Sequence, residues 1–171
     1  MMRVYLLRHA IAGPRDPRRY PADSDRPLTH EGRRKMARAA RGMRSLGLRL
    51  DLVLTSPFVR ARQTARIVAT SLSPRPPRRA LRPLSPGGGA GGVFAALASI
   101  PADASVLLVG HEPDLSRLAG AMIVEPRSDL SLEFKKGGLC RIDHEGVPRP
   151  GAGRLIFHLT PRILRLLAGG S

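Results

Sequence analysis

Near its start the sequence reads VYLLRH, residues 4–9, in which four apolar residues are followed at once by an arginine and a histidine. A short apolar run of β-branched and aromatic residues that ends in polar ones is typical of a buried β-strand. The same arrangement returns at residues 52–55, just before Ser56, and at residues 105–109, two residues ahead of His111. We therefore predict three buried strands with polar groups at their carboxyl ends.

Helical patterns lie between these strands. Thr29 is placed to cap a helix whose apolar residues recur with a period of about 3.6 until Gly47 ends it. Ser56 and Pro57 predict the N-cap and the first turn of a second helix. A third clear apolar face predicts a helix at 115–123. Weaker patterns predict helices at 93–99 and 163–168, strands at 138–142 and 154–159, and a short edge strand at 79–81. Alternating strands and helices favour an α/β fold, a three-layer sandwich with helices on both faces of a mainly parallel central sheet.

The length of 171 residues suits a single domain spanning residues 1–171. Residues 11–28 are rich in proline, arginine and aspartate and predict a long loop. Residues 73–92 are rich in proline and glycine and could be a linker. Because the elements on either side belong to the same alternating pattern, we interpret 73–92 as an internal surface loop.

The net charge is +16, and all but three of the 29 basic residues are arginine. A basic surface attracts anionic substrates and binds nucleic acid non-specifically. Aromatic residues make up only 4% of the chain and tryptophan is absent, which leaves little material for stacking on bases. We therefore expect no specific nucleic-acid partner.

The composition also argues against disulfide bonds and membrane-spanning segments. The single cysteine cannot form an internal disulfide, and no apolar run has the length that a membrane span needs. We expect a cytoplasmic, cofactor-free protein that binds neither a metal nor a membrane, as a monomer or weak dimer.

In open α/β sheets, ligands bind beyond the carboxyl ends of the strands. If the three strands are neighbours, they bring together Arg8, His9, Arg60 and His111 at one crevice. Arginine offers a planar fork of donors that matches phosphate oxygens, and neutral imidazole is a nucleophile near pH 7. This combination favours a site for a phosphoryl group.

Three motifs resemble signatures of the histidine phosphatase superfamily. LLRHA at 6–10 resembles its Arg-His-Gly motif, with Ala10 in place of glycine. SPFVRARQTA at 56–65 resembles Ser-Pro-x-x-Arg-Ala-x-Gln-Thr, and VGHEP at 109–113 resembles the motif of the second histidine. DRPLT at 25–29 further resembles the SixA-type phosphohistidine phosphatases. The order and spacing agree over roughly residues 3 to 160.

The resemblance implies a phosphoglycerate mutase-like fold and assigns roles to the matching residues. His9 would attack phosphorus and become phosphorylated, while Arg8, Arg60 and His111 would clamp the phosphoryl oxygens. Arg26 would join them from the loop, although a salt bridge within that loop is an alternative. We expect nearby cations to lower the pKa of His9, and we expect His111 to be a donor, more effective if protonated.

Superfamily members that act on phosphate esters generally supply a carboxylic acid from the region after the second motif. This chain has no Asp or Glu between Asp51 and Asp103. An alkoxide leaves poorly without a proton, whereas a phosphorylated nitrogen is a better leaving group, so the sequence favours a phosphoramidate substrate. The carboxyl groups that could still serve as the acid are those of Asp16, Asp23, Asp25 and Glu112.

Other reactive residues have structural interpretations. We expect Ser56 to be a helix cap rather than a nucleophile, and Cys140 to be a buried apolar residue of a strand. Lys135 and Lys136 form a solvated pair or a docking contact for an acidic partner. No two of the remaining histidines have the spacing of metal ligands: His30, His144 and His158.

The predicted function is a cofactor-independent phosphatase acting on phosphohistidine of a protein such as a phosphotransfer domain. One alternative is a phosphatase of the same fold that acts on a small phosphorylated metabolite or phosphoserine. A second is a non-catalytic polyanion-binding protein on a degenerate phosphatase fold, which the +16 charge and Ala10 would favour.

Overall fold

The computed structural model describes residues 1–124, 130 and 132–169. The strands of this described part are Met2–Arg8 (β1), Leu52–Thr55 (β2), Arg78–Ala80 (β3), Ser105–Gly110 (β4), Leu139–His144 (β5) and Gly153–Leu159 (β6). Its α-helices are His30–Ser45 (α1), Val59–Ser71 (α2), Ala90–Ala98 (α3), Asp114–Ile123 (α4) and Pro161–Leu167 (α5). None of these helices is both long and apolar enough to cross a membrane.

The strands form one sheet in the order β3-β2-β4-β1-β5-β6. The pairs β3–β2, β2–β4 and β4–β1 are parallel, whereas β5 is antiparallel to both β1 and β6. Among the described strands, β5 alone therefore runs against the common direction. The predicted α/β fold with a mainly parallel sheet is confirmed.

Helices cover both faces of the sheet, as neighbouring residues of β1 illustrate. Leu7 belongs to a buried cluster with apolar residues of α1, α2 and α5, whereas Leu6 belongs to a second cluster with α3 and α4. Successive side chains of a strand point to opposite faces, so a strand buried on both faces is a continuous apolar run. The predicted three-layer arrangement is confirmed.

The first helix begins and ends where the sequence predicts, and the second does not. Thr29 accepts a hydrogen bond from Gly32 N at 2.8 Å and caps α1, while Gly47 follows the helix with φ +72°. The prediction that Ser56 is the N-cap of α2 is wrong, because α2 begins at Val59 with Phe58 in the cap position. The buried Ser56 hydroxyl instead contacts His111, and this contact belongs to the site described below.

The segment 73–92, interpreted as a surface loop, contains regular structure. It includes β3, a 3₁₀ turn at Arg82–Leu84 and the first residues of α3, which begins at Ala90 rather than at 93. β3 contains no proline, although prolines precede and follow it, and as an edge strand it pairs on one side only, here with β2. This segment thus packs along the carboxyl end of β2, beside the candidate site.

Candidate active site

Three neighbouring parallel strands end at one edge of the sheet. Arg8 at the end of β1 pairs with Gly110 at the end of β4, and Thr55 of β2 pairs with Val109. The next residues of the three strands are therefore neighbours at that edge, and all are buried: His9, Ser56 and His111. This is where an open α/β sheet binds its ligand.

A main-chain carbonyl fixes the tautomer of His9. The Nδ1 atom of His9 lies 2.7 Å from the carbonyl oxygen of Ala10. A carbonyl oxygen can only accept, so Nδ1 carries the proton and Nε2 of the neutral ring keeps its lone pair. Arg60 donates from Nε to this Nε2 atom at 3.3 Å. The ring therefore presents an unprotonated nitrogen to the centre of the arginine and histidine cluster.

The pKa of His9 is lowered to about 4. Burial is the largest cause, and the charges of Arg60, Arg8 and Lys136 act in the same direction, against the hydrogen bond to Ala10. The direction agrees with the sequence-based expectation, but desolvation contributes more than the cations. His9 is consequently neutral at physiological pH.

His111 lies next to His9, with 5.0 Å between the ring centroids. Its Nε2 atom is 2.9 Å from Ser56 Oγ, and its ring packs against that of Phe58 in a T-shaped arrangement with 5.1 Å between centroids. Burial, followed by the proximity of His9 and Arg60, lowers its pKa to about 3. This shift opposes the protonated form that would make His111 the stronger donor.

A neutral His111 can still donate. Ser56 Oγ accepts a hydrogen bond from Phe58 N at 3.2 Å, so its own hydroxyl is available to donate to Nε2 of His111. That arrangement leaves the proton of the neutral ring on Nδ1, a buried atom without a hydrogen-bond partner among the described residues. A buried donor of this kind needs an acceptor to offset its desolvation.

Arg60, in the first turn of α2, is held on three sides and is 4% exposed. Its Nη1 donates to the main-chain oxygen of Asp23 at 2.8 Å, and its Nη2 donates to Asp23 Oδ2 at 2.9 Å. Its guanidinium also stacks over Phe58, 4.9 Å from the ring centroid. Its Nε donates to Nε2 of His9 at 3.3 Å.

Arg26 joins the cluster through Asp23. Its Nε donates to Asp23 Oδ1 at 3.0 Å, and its Nη1 donates to the carbonyl oxygen of Gly13 at 2.7 Å. The loop salt bridge that the sequence left open as an alternative is thus present. Asp23 bridges Arg26 to Arg60, so the loop carries one carboxylate and one guanidinium to the edge of the cluster.

Arg8 is positioned by the chain segment that precedes β5. Its Nη1 donates to the carbonyl oxygen of Phe134 at 2.6 Å, while its buried Nε has no partner within the described residues. Phe134 N in turn donates to Glu112 Oε1 at 2.7 Å. Glu112 therefore supports Arg8 indirectly.

The four candidate carboxylic acids have other partners. Asp16 accepts from main-chain N–H groups of its own turn, and Asp25 accepts from Ser24. Glu112 accepts from Ser116 and Phe134. Burial raises the pKa of Asp23, but hydrogen bonds and charge from Arg26 and Arg60 outweigh this and hold it below its usual value. An ionised Asp23 is a poor proton donor.

The other reactive residues lie apart from this geometry or at its edge. Cys140 is fully buried in β5, as predicted, and burial raises its pKa to about 12, which makes it unreactive. Lys135 pairs with Glu133 at 2.6 Å, whereas Lys136 is close enough to His9 to lower its pKa. His30 is exposed on α1, and His144 and His158 lie on β5 and β6.

Two residues have roles in the site that their sequence context did not predict. Ser56 contacts His111 instead of capping a helix, and Asp23 holds both Arg60 and Arg26. The signal for Ser56 was its place at the end of a strand, the same place that singled out His9 and His111. Asp23 gave no comparable signal, because its loop meets α2 only in the folded chain.

Several known proteins are similar to this chain in sequence or structure. The profile of the histidine phosphatase superfamily (branch 1) matches residues 4–85. An uncharacterized protein of Picosynechococcus sp. is 39% identical over 168 residues, 96% of this chain and 95% of that protein. The phosphohistidine phosphatase SixA of Escherichia coli is 32% identical over 126 residues, 72% of this chain and 73% of that protein.

One solved structure is similar to this chain over nearly its whole length. The structure of the protein histidine phosphatase SixA complexed with tungstate superimposes with a TM-score of 0.82 at 27% identity. The match covers 95% of this chain and 99% of that one. The structural similarity thus covers nearly the whole chain, and the residues matched by the family profile, 4–85, include His9.

Proposed function

This chain belongs to the histidine phosphatase superfamily, and from that premise we propose that it is a phosphatase that hydrolyses phosphohistidine on a protein such as a phosphotransfer domain. The observation that carries the proposal is the state of His9. Its Nδ1 proton is held by the Ala10 carbonyl, and its unprotonated Nε2 accepts a hydrogen bond from Nε of Arg60. A neutral imidazole in this tautomer is a nucleophile aimed into a cationic cluster.

In the first step, Nε2 of His9 attacks phosphorus in line, and the P–N bond of the substrate breaks as the new P–N bond forms. The substrate imidazole leaves as a neutral ring when its other nitrogen carries a proton. In the second step, water attacks the phosphohistidine of the enzyme and its proton passes to the released phosphate. His9 then regains its lone pair, while Ala10 keeps the same proton on Nδ1 throughout.

Arg8, Arg60 and His111 bind the phosphoryl oxygens in this mechanism. Catalysis of phosphoryl transfer depends mainly on positioning and on stabilising the charge of these oxygens. The buried Nε of Arg8 and the buried Nδ1 of His111 lack partners in the described part of the chain, and a tetrahedral oxyanion would satisfy both. Arg26 adds positive charge and holds Asp23 in place.

The choice of substrate follows from the leaving group. An alkyl phosphate needs a proton donor for its alkoxide, and Asp23, the carboxyl group in contact with the cluster, is ionised by its two arginines. Phosphohistidine needs no proton donor from the enzyme, because its imidazole leaves as a neutral ring when its other nitrogen carries a proton. The similarity to SixA of E. coli supports the same choice.

The test compares wild type with His9→Ala on a phosphohistidine protein, phosphoramidate, p-nitrophenyl phosphate and an alkyl phosphate. We expect wild type to hydrolyse the two phosphoramidate-type substrates at least 100-fold faster than the alkyl phosphate, and His9→Ala to be inactive on all four. His30→Ala removes an exposed histidine and serves as the control. Fast turnover of the alkyl phosphate at neutral pH would favour a metabolite or phosphoserine phosphatase instead.

The same preparations test the non-catalytic alternative. A protein that releases no phosphate from any of the four substrates, yet binds RNA equally well with and without His9, would be a polyanion-binding protein. The neutral His9 in contact with the buried Arg60 argues against this alternative, because polyanion binding needs no nucleophile.

A further inference from the structure

An apolar cavity of about 180 Å³ adjoins the candidate active site. His111 and Gly110 at the end of β4 form part of its wall, so the cavity shares a residue with the cluster around His9. Apolar side chains line most of the rest: Pro83, Leu84, Ala90, Val93, Leu115 and Leu118. They come from the segment after β3 and from the facing sides of α3 and α4.

A hydrogen bond joins two parts of the cavity wall. Gly87 N donates to Asp114 Oδ2 at 2.9 Å, which ties the glycine turn after the 3₁₀ segment to the start of α4. Gly87 and Gly89 both have a φ of +78°, a conformation that other residues rarely adopt. A preformed cavity lowers the entropic cost of filling it.

The cavity differs from the phosphoryl site in its charge. Asp114 and Arg117 are the full charges among its lining residues, and they pair with each other at 3.5 Å. The cavity therefore offers an anion no net attraction, in contrast to the cluster of Arg8, Arg60 and the two histidines. Its lining suits an uncharged, apolar group.

We propose that this cavity receives one apolar side chain of the phosphorylated protein, from a residue within about one helical turn of the phosphohistidine. The proposal rests on the proposed function and names a specificity determinant for it. Cavities of about 150 Å³ lined by aliphatic residues accommodate benzene, so the space suits a single leucine or phenylalanine side chain. A small phosphorylated metabolite would have to carry an apolar group of the same size, and that is the competing occupant.

The phosphoryl site and the cavity are close enough for one substrate to occupy both. The rings of His9 and His111 are 5.0 Å apart, and His111 borders both the phosphoryl site and the cavity. On a helix, residues three or four positions apart have Cβ atoms about 5–6 Å from each other. A phosphohistidine bound at His9 could therefore place a neighbouring side chain beyond His111.

The test uses 20-residue alanine-based helical peptides with one central phosphohistidine and acidic ends. Leucine replaces alanine singly at positions −4, −3, −1, +1, +3 and +4, and every rate is divided by phosphoramidate turnover of the same enzyme preparation. We expect leucine at one or two of these positions to raise kcat/KM about tenfold or more, the size expected for burying one leucine side chain. Aryl and alkyl phosphates of similar apolar size are measured in parallel.

Two variants locate the effect. Ala90→Leu adds a side chain at a residue that lines the cavity, and should abolish the preference for leucine. Ala95→Leu makes the same change at an exposed position of α3 and should retain it. Phosphoramidate turnover with no leucine preference at any position would overturn this inference while leaving the proposed function standing. A preference retained in Ala90→Leu, or one seen only for small phosphates, would also overturn it.

Discussion

Asp23 holds the guanidinium of Arg60 through two acceptors, its main-chain oxygen at 2.8 Å from Nη1 and its Oδ2 at 2.9 Å from Nη2. The Nε and Nη2 atoms of an arginine form the edge that binds carboxylates and phosphates bidentately. In this structure that edge is shared between His9 and Asp23. The carboxylate thus occupies a donor that a phosphoryl oxygen would also use.

Asp23→Asn should tighten the binding of inorganic phosphate about tenfold. The amide keeps an acceptor for Arg60 but removes a negative charge that opposes the anion, and such charges interact by several kcal/mol near a protein surface. Asp23 is partly exposed, which reduces the effect. Isothermal titration with phosphate measures it, with the exposed Asp25→Asn as control. Weaker binding by Asp23→Asn would mean that Asp23 chiefly positions Arg60.

The ring of His9 should remain in its neutral Nδ1–H form well below pH 6. Its pKa of about 4 places protonation far under the ordinary value near 6.5, because burial disfavours the imidazolium. Nitrogen NMR of ¹⁵N-labelled histidine, assigned by comparison with His9→Gln, reads the tautomer and the titration together. A titration midpoint near 6.5 would contradict the effect of burial on the ring, and a neutral ring with its proton on Nε2 would contradict the Ala10 contact.

Acid should destabilise the fold partly through His111. Its pKa is about 3 in the folded protein, so the unfolded chain binds the proton more readily and stability falls as pH drops below about 6.5. Between pH 7 and pH 5 this single group accounts for about 2 kcal/mol of the free energy of unfolding. Urea unfolding of His111→Gln should show a correspondingly smaller loss than wild type, whereas the exposed His30→Gln should match wild type.

Glu112 should act as a positioning residue rather than as an acid. Its carboxylate accepts from Phe134 N at 2.7 Å, and the Phe134 carbonyl accepts from Arg8 at 2.6 Å. Glu112→Ala should cost about 1–3 kcal/mol of stability and weaken phosphate binding, because partly buried donors lose their partner. Glu133→Ala, at an exposed ion pair, should change stability by less than about 0.5 kcal/mol.

The Glu112→Gln variant distinguishes a positioning role of Glu112 from general acid catalysis by its carboxyl group. An amide can still accept the hydrogen bond from Phe134, so this variant should keep most of the activity and the same basic limb in its pH–rate profile. Loss of that limb in Glu112→Gln would show that the carboxyl group delivers a proton.

The sequence was sufficient to predict the sheet and the residues at its carboxyl edge. The strand before His9 is buried on both faces, so its sequence is a continuous apolar run. Such a run predicts a strand even when the adjacent strands of the sheet are unknown. The polar residues directly after such runs share an edge once the strands are parallel neighbours. His9 and His111 come together for this reason, although about 100 residues separate them.

What the sequence could not supply is contact between distant loops. Asp23 meets Arg60 only because the loop 11–28 folds across α2, and nothing in the local pattern encodes that approach. Ser56 followed by proline has the local signature of a cap, but its contact with His111 places the hydroxyl elsewhere and α2 starts three residues later. The tautomer of His9 depends on a main-chain carbonyl, which every residue type possesses.

The central claim is that Nε2 of His9 takes the phosphoryl group. The direct measurement is rapid acid-free quenching of wild type and His9→Gln after mixing with ³²P-labelled phosphoramidate, followed by peptide mapping. The account predicts a base-stable, acid-labile phosphohistidine at His9 in wild type, formed before phosphate is released, and none in His9→Gln. Phosphate release by wild type without a labelled enzyme, or a label that persists at another residue in His9→Gln, would contradict it.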